Sequence, residues 1–169
     1  SWVRDNLDKM GLDANRPDGF RELVNTDLKF YLRQYEQILK ARKEEIPGLE
    51  FVHFIDHWGI AYSLSMPLML ASLKPTDSEE VSRAKINAVA RYIDTFCVRR
   101  SINYRKFGAS SIRYTIYNLV RELRRVDLGT LQAILLKRLQ EMDEGWDGMK
   151  SFGMHGQNKY FIKYLLGRM

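Results

Sequence analysis

Two histidines on one predicted helix are the residues of this chain most able to hold a metal ion. His53 and His57 are four positions apart, so they would share one helix face, and Asp56 lies beside them. Metalloproteases bind zinc with such a pair, but their pattern requires glutamate directly after the first histidine, and here that position is Phe54. The only other histidine, His155, lies far along the sequence. We therefore interpret the histidines as structural and predict no metal site.

The sequence also gives no pattern for nucleophilic catalysis or for cofactor binding. The single cysteine, Cys97, falls on the apolar stripe of a predicted helix, where a thiol behaves as a small hydrophobic group. There is no Gly-x-Ser-x-Gly elbow, no Gly-x-x-x-x-Gly-Lys-Ser/Thr loop and no Gly-x-Gly-x-x-Gly loop. The carboxylate pairs at 44–45 and 79–80 fall at predicted helix ends, where capping and the helix dipole explain them. We predict no catalytic residue and no bound cofactor.

A concentrated basic segment is the one feature that indicates a function. Residues 99–138 contain ten basic side chains and only two acidic ones, which gives 10 − 2 = +8. The chain as a whole carries +6, so the remainder carries 6 − 8 = −2. A positive stretch of this kind is typical of a surface that binds a polyanion such as DNA. The candidate nucleic-acid-binding residues are Arg99, Arg100, Arg105, Lys106, Arg121, Arg124 and Arg125.

Two parts of this segment combine the chemistry that nucleic acids require. Arg105 and Lys106 lie in a predicted loop beside Tyr104 and Phe107, and neighbouring basic and aromatic side chains can hold phosphates and stack on bases. The last three candidate arginines are spaced to share one face of the following helix. The alternative, which the sequence leaves equally open, is that the arginines pair with carboxylates inside the protein or with an acidic partner, because arginine suits fixed bidentate pairing.

The helical segments that would position these residues are marked by apolar spacings of three and four. The predicted helices cover residues 1–10, 18–44, 49–73, 81–100, 110–125, 127–142 and 157–168. Gly59 is expected to interrupt the 49–73 segment, and Pro67 to lie in the first turn of a short helix over 66–73. The expected N-caps are Asp127 and either Ser110 or Ser111, and residues 101–109 and 145–156 are expected to be loops.

Composition places the chain among globular proteins. Its 169 residues are 45% hydrophobic and 28% charged, and we expect one all-α domain over 1–169 with an irregular array of about seven helices. No stretch approaches the ~20 apolar residues of a membrane span, so no membrane contact is predicted. A lone cysteine favours a reducing compartment, and we expect a cytoplasmic protein. Both ends read as helical sequence, so we expect an internal fragment whose last helix leads towards a further domain.

Several stretches of the chain resemble a known family. They are 85–100 (KINAVARYIDTFCVRR), 110–116 (SSIRYTI), 66–71 (MPLMLA) and 158–166 (NKYFIKYLL). Together they resemble the helical middle region of GmrSD-type proteins, the modification-dependent (type IV) restriction endonucleases and their relatives. The paired arginine Arg99-Arg100, after an aromatic-rich helix, is the sharpest part of the likeness.

The resemblance implies a parent protein in three parts. An N-terminal ParB-like module would bind and hydrolyse a nucleotide with an Asp-Gly-Gln-Gln-Arg motif, and a C-terminal His-Asn-His nuclease would cut DNA. This sequence contains neither motif. The resemblance therefore implies a non-catalytic helical module of a defence protein, with DNA and the flanking domains of its own chain as partners. Arg99 and Arg100 match the family pattern, but the resemblance gives them no chemical role.

Overall fold

The prediction of an all-α fold is confirmed. A computed structural model describes residues 4–10, 12–13, 17–56, 58–106, 108–153 and 159–168, and these contain helices and no strands. The α-helices are α1 (Pro17–Glu22), α2 (Lys29–Lys43), α3 (Glu50–Asp56), α4 (Tyr62–Ala71), α5 (Glu79–Ile102), α6 (Ala109–Glu122), α7 (Leu128–Gln140) and α8 (Lys159–Arg168). A π-helical turn, Leu23–Leu28, joins α1 and α2 into one continuous helix, so the described residues form seven helices.

Helix α5 packs directly on three other helices. It contacts α3, α4 and α7, while α4 also packs on α6, and α2 packs on α3 and α4. Ser78 caps its N-terminus by accepting a hydrogen bond from the Val81 N–H at 3.2 Å, and Glu79 and Glu80 follow in the first turn. The carboxylate pair at 79–80 therefore lies at a helix end, as the sequence predicted. The helix continues two residues beyond Arg100, to Ile102.

The turn before α5 is fixed by a fully buried lysine. The Lys85 ammonium donates hydrogen bonds to Asp77 Oδ2 at 2.7 Å and to the Ser72 carbonyl at 3.1 Å. Asp77 also accepts from the Lys74 N–H at 2.9 Å, so both charges of this pair are satisfied. Because an unpaired buried charge is strongly destabilising, this pair holds the end of α4 against the start of α5.

Three local expectations were wrong. Helix α4 begins at Tyr62, so Pro67 lies inside it rather than in the first turn of a shorter helix. Proline has no N–H, so the Ser63 carbonyl lacks its usual helical donor. Ser63 is exposed, and water can reach this carbonyl. Residues 4–10 form two short 3-10 helices, Arg4–Asn6 and Asp8–Met10, instead of an α-helix. Gly108, not Ser110 or Ser111, is the N-cap of α6.

Two predicted interruptions between helices, at Gly59 and in the 145–156 connection, have a defined backbone conformation. Gly59 has a φ of +65° after the end of α3, which confirms the interruption expected there. The 145–156 connection contains a 3-10 helix, Asp147–Ser151, which is docked on the end of α5. A Cβ on Gly148 would lie 2.6 Å from the Ile102 carbonyl oxygen, so only glycine fits this contact.

We find no described helix that combines the length and the apolar composition of a membrane span.

The predicted cap of α7 is confirmed: Asp127 accepts hydrogen bonds from the Thr130 hydroxyl at 2.6 Å and from the Thr130 N–H at 2.9 Å. The hydroxyl first and then the N–H hold the pKa of Asp127 at about 2, below its ordinary value of 3.8.

This cap predicts a specific acid sensitivity. Because the folded pKa of Asp127 is lowered, its stabilising contribution is complete above about pH 4 and is lost as the pH falls towards 2. An Asp127→Asn variant keeps an acceptor for the Thr130 N–H but does not titrate. We expect the difference in free energy of unfolding between the two proteins, measured by urea denaturation, to shrink from pH 4 to pH 2. A difference that is constant over this range would contradict the assignment.

Candidate nucleic-acid interface

Helix α6 has one buried face and one exposed face. Ile112, Ile116 and Leu119 point into the core and are almost completely buried, and Leu123 continues this row just after the helix. Because these positions repeat every three or four residues, the remaining positions must lie on the opposite side. The sequence of α6 therefore fixes which of its side chains meet solvent.

The exposed face of α6 combines arginine and tyrosine. Arg113, Tyr114, Tyr117 and Arg121 are all exposed, and we call these four residues the α6 outer face. Tyr117 is four residues from each arginine, so the three form a row about 12 Å long along the helix axis. The side chain of Tyr114 is 80% exposed and that of Tyr117 is 51% exposed. Exposed aromatic rings and cationic side chains are the two kinds of group with which proteins bind single-stranded nucleic acid.

Five cationic side chains in this region pair with no carboxylate in the part of the chain that the structure describes. They are Arg105, Lys106, Arg113, Arg121 and Arg124. All five are exposed. Because no internal carboxylate offsets them, their positive charge is directed at solvent and at any anion that approaches.

The loop before α6 holds Lys106 close to that helix. The Lys106 carbonyl accepts a hydrogen bond from the Ser111 hydroxyl at 3.2 Å, and Arg100 donates to the same carbonyl. The ring of Tyr104 is already engaged within the protein. It stacks on Phe152 with ring centroids 6.0 Å apart, and its hydroxyl accepts a hydrogen bond from the Gly153 N–H. Phe107, the other aromatic residue expected here, lies outside the described residues.

The expectation that Arg121, Arg124 and Arg125 share one helix face was wrong. Helix α6 ends at Glu122, so only Arg121 lies on it. Arg125 has a φ of +54°, its N–H donates to the Ala71 carbonyl at 2.9 Å, and its guanidinium lies 3.5 Å from Asp27. The chain reverses at this residue to begin α7, which directs Arg125 towards the N-terminal helices.

Arg99 lies inside the protein. Only 9% of it is exposed, and its guanidinium donates hydrogen bonds to the carbonyls of Leu139, Met142 and Glu144. These carbonyls end α7 and begin the connection after it, where no helical N–H is available to them. Arg99 therefore caps the C-terminus of another helix, and we leave it out of the candidate surface.

Arg100 is also occupied within the protein. Its guanidinium lies 2.8 Å from Glu144 Oε1, and it donates to the Lys106 carbonyl through Nε at 2.9 Å and Nη2 at 2.6 Å. Its side chain is 18% exposed and that of Glu144 is 13% exposed, so solvent screens this pair weakly. Arg100 therefore positions the loop that carries Lys106, and its role at the surface is indirect.

An open groove of about 530 Å³ runs along one side of the α6 outer face. Tyr114, Asn118 and Arg121 line it from α6, Tyr92 from α5 and Arg138 from α7. Burial raises the pKa of Tyr92 to about 12, so its ring carries a neutral hydroxyl near pH 7. The groove thus offers neutral polar and aromatic groups beside cationic ones.

The only carboxylate that lines this groove in the described residues is already paired. Glu122 accepts two hydrogen bonds from Arg138, one of them from Nε at 2.9 Å, and Arg138 also reaches Glu141 at 3.0 Å. These carboxylates raise the pKa of Arg138, so it stays charged. An anion that enters the groove therefore does not meet an uncompensated negative charge.

The residues considered first for chemistry lie partly outside the described structure. No three side chains of the metal-ligating types come together within the described residues. His57 and His155 lie outside those residues, so the prediction about the histidine pair stays a prediction. Cys97 is buried in the core, and burial raises its pKa well above the ordinary value, which keeps it a neutral thiol.

Three residues of the interface were missed by the analysis of the sequence. Arg113, Tyr114 and Tyr117 were not among the candidates, although the pattern Arg-Tyr-x-x-Tyr-x-x-x-Arg over 113–121 contains the signal. Each of its members falls opposite the buried isoleucines of α6. The basic residues are densest near the two ends of the segment, where the candidates were placed. The helical spacing of 113–121 indicates the exposed face at its centre.

No protein-family model matches this chain, and no curated protein or solved structure matches it. The resemblance to GmrSD-type proteins therefore stays a prediction.

The internal role of Arg99 is tested by its removal. An Arg99→Met change fills similar space but leaves three carbonyls without their donor, so we expect the free energy of unfolding to fall by about 2–4 kcal/mol. Arg113→Met removes the same charge from an exposed position and should change it by less than about 0.5 kcal/mol. Urea denaturation at pH 7 measures both. Equal effects would contradict the assignment of Arg99 as an internal cap.

Proposed function

We propose that this chain is a non-catalytic helical module that binds DNA through the α6 outer face and the neighbouring cations Arg105, Lys106 and Arg124. The observation that carries the proposal is the group of five exposed cations that pair with no described carboxylate. Of the seven candidates from the sequence, Arg99 and Arg100 are occupied internally and Arg125 pairs with Asp27. The other four remain available for contact with phosphate.

The arrangement of these cations suits a linear polyanion better than a single small anion. Arg113 and Arg121 are about 12 Å apart along the axis of α6, and Lys106 and Arg124 lie just before and just after this helix in the chain. A DNA backbone presents charges at regular intervals, so several of these side chains can contact phosphates at once. Each contact releases condensed counterions, which makes binding strongly dependent on salt.

The family resemblance supports a more specific context for this function. We propose that the module joins a nucleotide-binding part and a nuclease part of a restriction endonuclease-like defence protein, and that it holds DNA between them. The proposal rests on the stretches quoted above. A longer reading frame with an Asp-Gly-Gln-Gln-Arg motif upstream and a His-Asn-His region downstream would support this context.

A second function, a structural or protein-interaction module without affinity for nucleic acid, is favoured by one observation. Arg99 and Arg100, which match the family pattern best, are both engaged inside the protein. If the other cations served only solubility or an acidic partner, the isolated chain would not bind DNA even at low salt. DNA binding by the isolated chain therefore separates the two proposals.

The proposed surface is tested by charge reversal with a matched control. Arg113→Glu, Arg121→Glu and Arg124→Glu together should weaken binding to a short duplex by about 100-fold or more at low salt, because contacts become repulsive. The control variant carries Lys29→Glu, Arg33→Glu and Lys43→Glu, which make the same change of charge on exposed positions of α2. Fluorescence anisotropy with labelled DNA measures both. For the parent chain, the logarithm of affinity should fall against that of salt with a slope of about −4.5 for five contacts.

Each result decides between the alternatives. A loss confined to the α6 variant supports the proposed surface. An equal loss in both variants would mean that overall charge, and not this surface, determines binding. No binding by the parent chain at low salt would favour the structural module.

A further inference from the structure

The α6 outer face contains more than contact with a duplex backbone requires. Phosphates need cations, which Arg113 and Arg121 supply, but Tyr114 and Tyr117 add two large rings between and beside them. Neither ring packs against another ring within the described residues. A tyrosine side chain that is 80% exposed gains little from the fold of this chain, so its ring is available to a ligand.

We propose that the α6 outer face binds single-stranded DNA, with Tyr114 and Tyr117 stacking on unpaired bases and the arginines holding the phosphates on either side. This inference rests on the proposed function and names its substrate more closely. In a duplex the faces of the bases are covered by their neighbours, so an exposed tyrosine can reach only their edges. In a single strand the faces are accessible, and stacking of a base on an aromatic side chain adds affinity without requiring a particular sequence.

The spacing on α6 suits this arrangement. Tyr114 and Tyr117 are three residues apart, about 4.5 Å along the helix axis, and they share one side of the helix. Tyr117 lies four residues from both arginines, so the cationic and aromatic groups alternate along the same row. A flexible strand can place phosphates on the arginines while it turns its bases towards the rings, which a rigid duplex cannot do.

The adjoining groove can receive a base that is turned out of the strand. Its volume of about 530 Å³ is in the range of small-molecule sites, and Tyr114 and Arg121 form its edge. Thr115 and Asn118 add a hydroxyl and an amide, both of which can hydrogen-bond to the edge of a base. The carboxylate of Glu122 is held by Arg138 and so does not repel the phosphates.

The length of the surface sets the size of a suitable probe. Helix α6 is about 21 Å long, and Lys106 and Arg124 lie near its two ends. Single-stranded sites of this kind cover on the order of 4–16 nucleotides. A labelled oligothymidylate of twelve nucleotides is long enough to reach both ends, and thymidine strands do not pair with themselves.

The test compares this oligonucleotide with a blunt twelve-base-pair duplex by fluorescence anisotropy at one salt concentration. We expect the parent chain to bind the single strand at least tenfold more tightly. The double variant Tyr114→Ala/Tyr117→Ala should lose at least tenfold in affinity for the single strand and less than about twofold for the duplex. Tyr114→Phe/Tyr117→Phe keeps both rings and should bind as the parent does. Leu136→Ala, at an exposed position of α7, is the control for loss of apolar surface.

The failure of this inference differs from the failure of the proposed function. Equal binding of both DNA forms, or a tighter duplex, with no effect of the alanine variant would overturn single-strand binding but leave DNA binding in place. The absence of any binding, even at low salt, would overturn both. All four tyrosine substitutions are at exposed positions, so circular dichroism and urea denaturation should show an unchanged fold, and a change in binding then reports on the surface.

Discussion

The arrangement of the C-terminal half depends on one buried guanidinium. Arg99 of α5 donates to the carbonyls of Leu139, Met142 and Glu144, which fixes the end of α7 against the end of α5. A charged donor with a planar fork is well suited to several carbonyls that point to one place. With α7 fixed, Arg138 reaches Glu122 on α6, so the three helices are joined by side-chain hydrogen bonds as well as by the core. Helix α6 is held in addition by its buried row of apolar side chains and by its packing on α4.

The basic segment therefore contains two populations of cations with different physical roles. One population is held in place by carbonyls or carboxylates within the protein and contributes to stability, as Arg99, Arg100 and Arg138 do. The other, which includes Arg113 and Arg121, is exposed and has no described carboxylate partner. Net charge along the sequence adds the two populations together. It therefore overstates how much of the segment is available to a ligand.

The fold class and most helices could be predicted because they follow from local spacing. The apolar repeat of α6 and the Asp127 cap of α7 depend on residues within a few positions of one another. The partners of Arg99 could not be predicted in this way, since they lie 40 to 45 residues away and are backbone atoms without a sequence signature. The displaced cap of α6 has a local cause: the Ser111 hydroxyl points back along the chain and donates to the Gly108 carbonyl at 2.8 Å. A serine near a helix start therefore does not identify the cap by itself, because its side chain can bond to a preceding carbonyl instead of a helical N–H.

Separating the two populations also explains how one short segment can contribute to stability and still leave cations available for the proposed binding. An arginine that binds a ligand must exchange its hydrogen bonds with water for hydrogen bonds with phosphate. It must do so without breaking a contact on which the fold depends. Arg113 and Arg121 meet this condition because α6 is already held by its buried isoleucines and by the Glu122–Arg138 pair. Arg99 does not, since its removal from the carbonyls would expose the end of α7. Exposed cations on a helix that other residues hold in place, as Arg113 and Arg121 are, are therefore available to a ligand without loss of stability.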